Sequence, residues 1–145
     1  DQKDWPAGRM VTPTLAGTRP GGAISSAWAV MHYLGIEGYR QKQQSVTRAR
    51  ARIEEGVAEL GFEVLGAPKL GIMAFSHPEL DIFALYKRLF ERGWVTSLCT
   101  QPKALHLMLS PFHETVVAQY LTDLTWAVAQ VRAGVTDAVT EVRYS

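Results

Sequence analysis

Apolar positions along the chain switch between a helical spacing and a strand-like one, and the switches mark out its elements. From Gly21 to Leu34 the residues Ala23, Ile24, Ala27, Trp28, Val30, Met31 and Leu34 leave almost no polar face. That predicts a helix buried nearly all round, one that needs neighbours. Gly35 and Gly38 predict a break. A longer helix is predicted over 39–60, where Val46, Ala49, Ile53, Val57 and Leu60 recur every three or four residues, with Gly61 as its C-terminal stop. "FEVLG" and "KLGIMAFS" read as strands on either side of Ala67-Pro68, the second apolar enough for the centre of a sheet.

Residues 79–92 predict an amphipathic helix with Ile82, Leu85, Tyr86 and Leu89 on one face, ended by Gly93. "WVTSLCT" and "ALHLMLS" read as further strands around Gln101-Pro102. A last helix is predicted from Pro111 to about Ala133, along the seam Val117, Leu121, Leu124, Val128 and Val131. Residues 1–9 read as loop, because Pro6 and Gly8 break structure, and Pro13 holds Thr12 away from the α region. Helices and strands in this order, joined by short loops, predict an α+β fold: a mostly antiparallel sheet with helices packed on one face.

Composition adds few constraints. The chain has 145 residues, 47% of them hydrophobic and 20% charged, a globular balance. Fifteen basic residues are offset by fourteen acids, and a net charge of +1 gives no general pull toward nucleic acid or an anionic membrane. The densest basic stretch, "RARARIEE" from Arg48 to Glu55, spreads its arginines around a helix and reads as a solvated face. No apolar run approaches the roughly 20 residues of a membrane span, and no signal peptide is visible. The single cysteine, Cys99, suits a reducing compartment such as the cytoplasm and reads as a buried small hydrophobe.

Candidate chemistry is sparse. His32, His77, His106 and His113 stand alone, without a second ligand at helix or strand spacing, so no metal site is expected. His106 alternates with Leu105 and Leu107 and must point opposite to them, as a packed histidine or a site residue. His113 sits where Ser110 or His113 itself can cap the last helix, and His77-Pro78 reads as a turn. There is no GxSxG elbow, no P-loop lysine and no GxGxxG after a strand. The acids on helices 39–60 and 79–92 fall at positions that look solvated.

One stretch stands apart: "TLAGTRPGG", Thr14 to Gly22, at the mouth of the first helix. The first amides of a helix lack partners and carry the positive end of its dipole. Pro20 loses nothing in a first turn. Gly21 and Gly22, without a Cβ, let an anion approach the backbone. Thr18 can cap the helix or donate its hydroxyl to a phosphate oxygen. At this point a capped helix and an anion site both stand.

The stretch "VTPTLAGTRPGGAISSAWAVMHYLGIEGY" resembles the corresponding segment of sphingosine-1-phosphate lyases, within the pyridoxal-phosphate-dependent decarboxylase superfamily. Such enzymes characteristically read S/T-P-T-I/L-A-G-S-R-P-G, then a small-residue helix with W-A, then a G-x-x-G-Y turn. The similarity continues through "FEVLGAPKLGIMAF", "LDIFALYKRLFERGW" and "QPKALHLMLSPFH", and covers roughly residues 3–133. Thr18 stands where many members carry serine, so the hydroxyl is kept and a methyl is added.

The resemblance implies the C-terminal small domain of an aspartate-aminotransferase-like, fold type I enzyme. Residues 1–35 would be the loop and buried helix that link to a large cofactor domain upstream, with a cofactor-phosphate loop at 14–22. Residues 36–145 would be the small α+β domain. The implied reaction is retro-aldol cleavage of a phosphorylated long-chain base into an aldehyde and phosphoethanolamine, with pyridoxal 5'-phosphate as cofactor. Ala16, Gly17, Thr18 and Arg19 would approach its phosphate from the neighbouring subunit of a homodimer. None of Lys3, Lys42, Lys69, Lys87 and Lys103 follows a histidine, as the Schiff-base lysine of such enzymes does. The chain is therefore expected to be a C-terminal fragment, inactive alone. Two other readings remain: an amino-acid decarboxylase of the same superfamily, and a non-catalytic α+β binding domain. In the latter the apolar helix 21–34 must be covered by the chain's own sheet.

Overall fold

The computed structural model describes residues 16–134. The chain divides into two compact units, Asp1–Gly38 and Tyr39–Ser145. Its elements run α1 (Gly21–Glu59), β1 (Glu63–Val64), β2 (Ile72–Ser76), α2 (Ile82–Glu91), β3 (Ser97–Thr100), β4 (Lys103–Met108), a 3-10 turn (Pro111–Thr115) and α3 (Val117–Arg132).

Helix α1 is not continuous. At Gly35 the backbone takes φ 56° and ψ −177°, outside the helical region. A β-carbon makes that conformation costly, so the predicted break at Gly35 is a glycine-only joint; Gly38 stays helical. In the first unit, the helix from Gly21 departs from expectation. Ile24, Trp28, Val30 and Met31 are all exposed, Trp28 at 58%, against a predicted burial nearly all round. A helix apolar on every side needs several neighbours at once, and no single packing surface meets that demand.

The second unit holds the core. Its sheet is ordered β1-β2-β4-β3 and antiparallel throughout, so the apolar strand β2 is central, as its sequence predicts. The register sets Met73 opposite Leu107 and Phe75 opposite Leu105, with Leu98 beside Leu105 on the far strand. Side chains alternate across a pleated strand, so these five share one face, and all are buried. Ile53 and Val57 of α1, Ile82, Leu85 and Leu89 of α2, and Leu124 and Val128 of α3 belong to the same cluster. The helices thus pack on one face. On the other, Ile72 and Met108 are exposed, and Cys99 is half-buried rather than buried as expected.

Local chemistry fixes the ends. After Glu59 the chain turns through Gly61 (φ 89°), and the Phe62 amide returns to the Val57 carbonyl at 3.0 Å, closing α1 as predicted. Helix α2 begins at Ile82, not at residue 79. His77 Nδ1 accepts the amides of Glu79 and Leu80, and Asp81 Oδ1 accepts those of Phe83 and Ala84, so residues 77–81 form a capping turn. The last helix likewise starts late. Pro111–Thr115 is a 3-10 turn, and the α-helix runs from Val117. Its buried face includes Tyr120, Asp123 and Ala127 beyond the predicted seam, while Leu121 is only partly buried.

Asp123 ties two helices together. Its carboxylate accepts the Trp94 indole N–H at 2.9 Å and the Gln119 amide at 3.0 Å. Arg92 lies 3.7 Å away and also covers the Trp126 ring at 4.0 Å. The hydrogen bonds hold the Asp123 carboxyl below its ordinary range. The basic stretch Arg48–Glu55 is a solvated face only in part: Arg48 and Arg52 are exposed, with Arg48 paired to Glu114, whereas the Arg50 side chain is largely buried and paired with Glu54, one turn on. Gly71 marks a close approach. A β-carbon there would lie 2.6 Å from Val46 Cγ1 and 2.7 Å from the Leu109 carbonyl oxygen, and the Leu109 amide donates to the Gly71 carbonyl at 2.6 Å. Among the described residues, no helix is long and apolar enough to cross a membrane.

Candidate functional site

The glycine-rich turn lies in the first unit. Thr14 and Leu15 fall outside the described residues, whereas Ala16 to Pro20 are described and exposed. The Arg19 guanidinium donates through Nη1 to the Ala16 carbonyl at 2.8 Å, folding the turn back on itself. The helix begins at Gly21 with no acidic residue in its first turn, so no side chain of that turn offsets the positive end of the dipole.

The glycines here differ from Gly71. A β-carbon at Gly17, Gly21 or Gly22 would meet nothing within 4 Å, and none of the three has a positive φ. Neither crowding nor backbone conformation among the described residues calls for glycine at these positions. What their small size does provide is clearance above the first amides of the helix. The first amides of a helix, a hydroxyl such as that of Thr18 and a guanidinium such as that of Arg19 are the kinds of donor that suit a phosphate group.

The histidines are dispersed. His32 is exposed, its ring 4.2 Å from that of Trp28. His77 belongs to the capping turn before α2. His113 takes the Ser110 amide on Nδ1 at 2.8 Å, the capping role expected of that pair. His106 is half-buried and opposite in facing to Leu105 and Leu107, as its alternation predicts. Among the described residues no group of three His, Cys, Asp or Glu side chains could hold a metal. His106 and His113, on consecutive elements, line one cleft of about 140 Å³ together with Thr96 and Tyr120, which stand further off in the chain. Sequence spacing gave no sign of that convergence, because it depends on the β3-β4 hairpin meeting the start of α3.

Comparison with known proteins agrees with the motifs. No protein-family model matches the chain. It is 39% identical over 131 residues to the sphingosine-1-phosphate lyase of Arabidopsis thaliana, covering 90% of this chain and 24% of that protein. It is 37% identical over 98 residues to a probable L-tyrosine/L-aspartate decarboxylase of Methanothermobacter thermautotrophicus, covering 68% of this chain and 27% of that protein. Its structure superposes on the sphingosine-1-phosphate lyase of Burkholderia pseudomallei with a TM-score of 0.80 at 30% identity, covering 91% of this chain and 30% of that one. The chain spans about a quarter of the length of the curated relatives it matches. It is accordingly a homologue of the sphingosine-1-phosphate lyases, and it has the small α+β fold of the fold type I pyridoxal-phosphate enzymes that its motifs predicted.

Proposed function

We propose that this chain is the part of a pyridoxal-phosphate-dependent carbon–carbon lyase that carries a cofactor-phosphate loop and the small domain. The observation that carries the reading is the exposed turn Ala16–Arg19 at the mouth of α1, with glycines that answer to no crowding among the described residues and a helix whose first turn holds no acidic residue. Residues 1–35 then form the link from a large upstream domain, and 36–145 the small domain. A second subunit of a homodimer completes the site. The parent reaction is retro-aldol cleavage of a phosphorylated long-chain base into an aldehyde and phosphoethanolamine, in the cytoplasm.

When bound, the cofactor supplies an electron sink for the breaking bond. The residues of this chain hold and orient. The amides after Pro20 and the Thr18 hydroxyl donate to the phosphate, and Arg19 adds positive charge. No lysine of the chain stands after a histidine, so the covalent anchor lies elsewhere and the chain alone is inactive. The exposed Ile24, Trp28 and Met31 favour this reading over a free-standing binding domain, in which they would be buried. The Methanothermobacter relative supports one alternative, an amino-acid decarboxylase with the same cofactor loop.

Two measurements test the proposal. Pyridoxal phosphate added to the 145-residue chain and reduced with borohydride leaves no stoichiometric label; one labelled lysine per chain would overturn the claim of a missing anchor. In the full-length parent, Thr18→Val keeps the shape and removes a hydrogen bond to a charged group, weakening cofactor binding by about tenfold or more. Unchanged affinity would assign Thr18 to capping alone.

A further inference from the structure

On the reading of Ala16–Arg19 as a cofactor-phosphate loop, proposed above, we infer that Arg19 is a positioning residue: its guanidinium fastens the turn to the Ala16 carbonyl and holds Gly17 and Thr18 in place for the phosphate.

The turn needs holding. Ala16 to Pro20 are exposed, and a β-carbon at Gly17 would meet nothing within 4 Å. Packing among the described residues therefore leaves Gly17 unconfined. Glycine also loses more conformational freedom on ordering than any other residue. A phosphate that had to order the turn for itself would bind more weakly by that cost, and a turn fixed beforehand removes it.

Arg19 supplies a local restraint. Its Nη1 donates to the Ala16 carbonyl oxygen at 2.8 Å, three residues back along the chain. The bond closes a short loop with Gly17 and Thr18 inside it, and Thr18 stands at a bend. Beyond Arg19, the ring of Pro20 fixes the next φ before the helix begins at Gly21. Gly17 and Thr18 are thus confined from both ends by neighbouring chemistry.

Arginine suits this work. Its guanidinium is a planar fork of five donors, pre-organised so that little freedom is lost for each bond it makes, whereas lysine carries the same charge on a flexible stem without the fork. The hydrogen given to the Ala16 carbonyl is not available to a phosphate oxygen. The charge of Arg19 stays at the turn, while its hydrogen bond acts on the anion through the backbone and through the place it gives the Thr18 hydroxyl. Residues 18 and 19 then work as one unit, and the effects of changing them do not add.

Two measurements test this, neither of them an activity. In the 145-residue chain, the heteronuclear NOE of the Gly17 and Thr18 amides reports their order; Arg19→Met, which keeps an apolar stem and removes every donor, is expected to lower it. In the full-length parent stripped of cofactor, direct titration compares pyridoxal phosphate with pyridoxal, which lacks the phosphate. Arg19→Met is expected to weaken the phosphorylated form by about tenfold, the loss of one hydrogen bond to a charged group, and to leave pyridoxal unchanged. The double variant with Thr18→Val is expected to lose little more than the larger single loss. Arg19→Lys, which keeps the charge, is expected to follow Arg19→Met in both order and affinity. Losses that multiply in the double variant, or an affinity loss with the NOE unchanged, would overturn the positioning role and leave the phosphate loop standing. A lowered NOE with unchanged affinity in all three variants would overturn the loop reading itself, and the inference with it.

Discussion

Two stretches of α1 have a similar appetite for burial and opposite fates. Between Val46 and Val57 the apolar residues form one stripe, and Ala49, Ile53 and Val57 are at most 2% exposed. Between Ile24 and Met31 they surround the helix, and Ile24, Trp28 and Met31 are all more than half exposed. A stripe is satisfied by one packing surface. An all-round apolar helix asks for several, and burying each large side chain is worth roughly 1.5–3 kcal/mol that exposure forgoes. Hydrophobic spacing therefore states a demand, and only the fold shows whether the demand is met. Contiguous exposed apolar surface of this kind marks a place for a partner.

The comparison breaks most directly with a pair of truncations in the isolated chain. Leu105→Ala, at a fully buried position in the central strand β4, is expected to cost about 2–5 kcal/mol in urea unfolding. Trp28→Ala, although it removes more apolar surface, is expected to stay within about 0.5 kcal/mol. Equal losses would mean that the helix from Gly21 is buried in solution.

A smaller effect sharpens the polar side of the core. The Asp123 carboxyl has its pKa lowered in the folded state by the Gln119 and Trp94 hydrogen bonds. Its contribution is thus fully present above the ordinary aspartate value of about 4 and is lost as pH falls through the lower folded value. Unfolding midpoints of the native chain should drop in that acid range, and Asp123→Asn should flatten this part of the profile. A matching drop in the variant would move the effect to other carboxylates. The smallest expected loss, about 1 kcal/mol, belongs to Asp81→Ala, which removes the cap from Phe83 and Ala84 and is read by the same urea titration.

Much of the second unit was legible because its signals are local. The stripe Val46–Val57, the break at Gly35, the stop at Gly61 and the central place of "IMAFS" each follow from a few neighbouring residues. The misplaced starts have equally local causes of another kind. His77 and Asp81 spend their side chains on backbone amides, so an amphipathic pattern extends over residues that are not helical. Pro111 opens a tighter turn in the same way. What spacing missed is non-local. Tyr120 and Asp123 look like polar interruptions of a seam, and their burial depends on Trp94 arriving from the end of α2. Of the candidate site, the turn Thr14–Gly22 stood out by composition, yet its link to a cofactor came from resemblance alone. The cleft that joins His106 to His113 exists only once the sheet is assembled.

Gly71 carries a consequence for how such a sequence drifts. Helix α1 and the strand region after β4 press on the same point from different sides, one through the methyl of Val46 and the other through a main-chain carbonyl. A smaller side chain at position 46 would relieve the first contact at the cost of core packing, since Val46 is buried. The carbonyl belongs to the backbone and no codon change removes it. A side chain at residue 71 therefore stays excluded until the strand region itself is rebuilt.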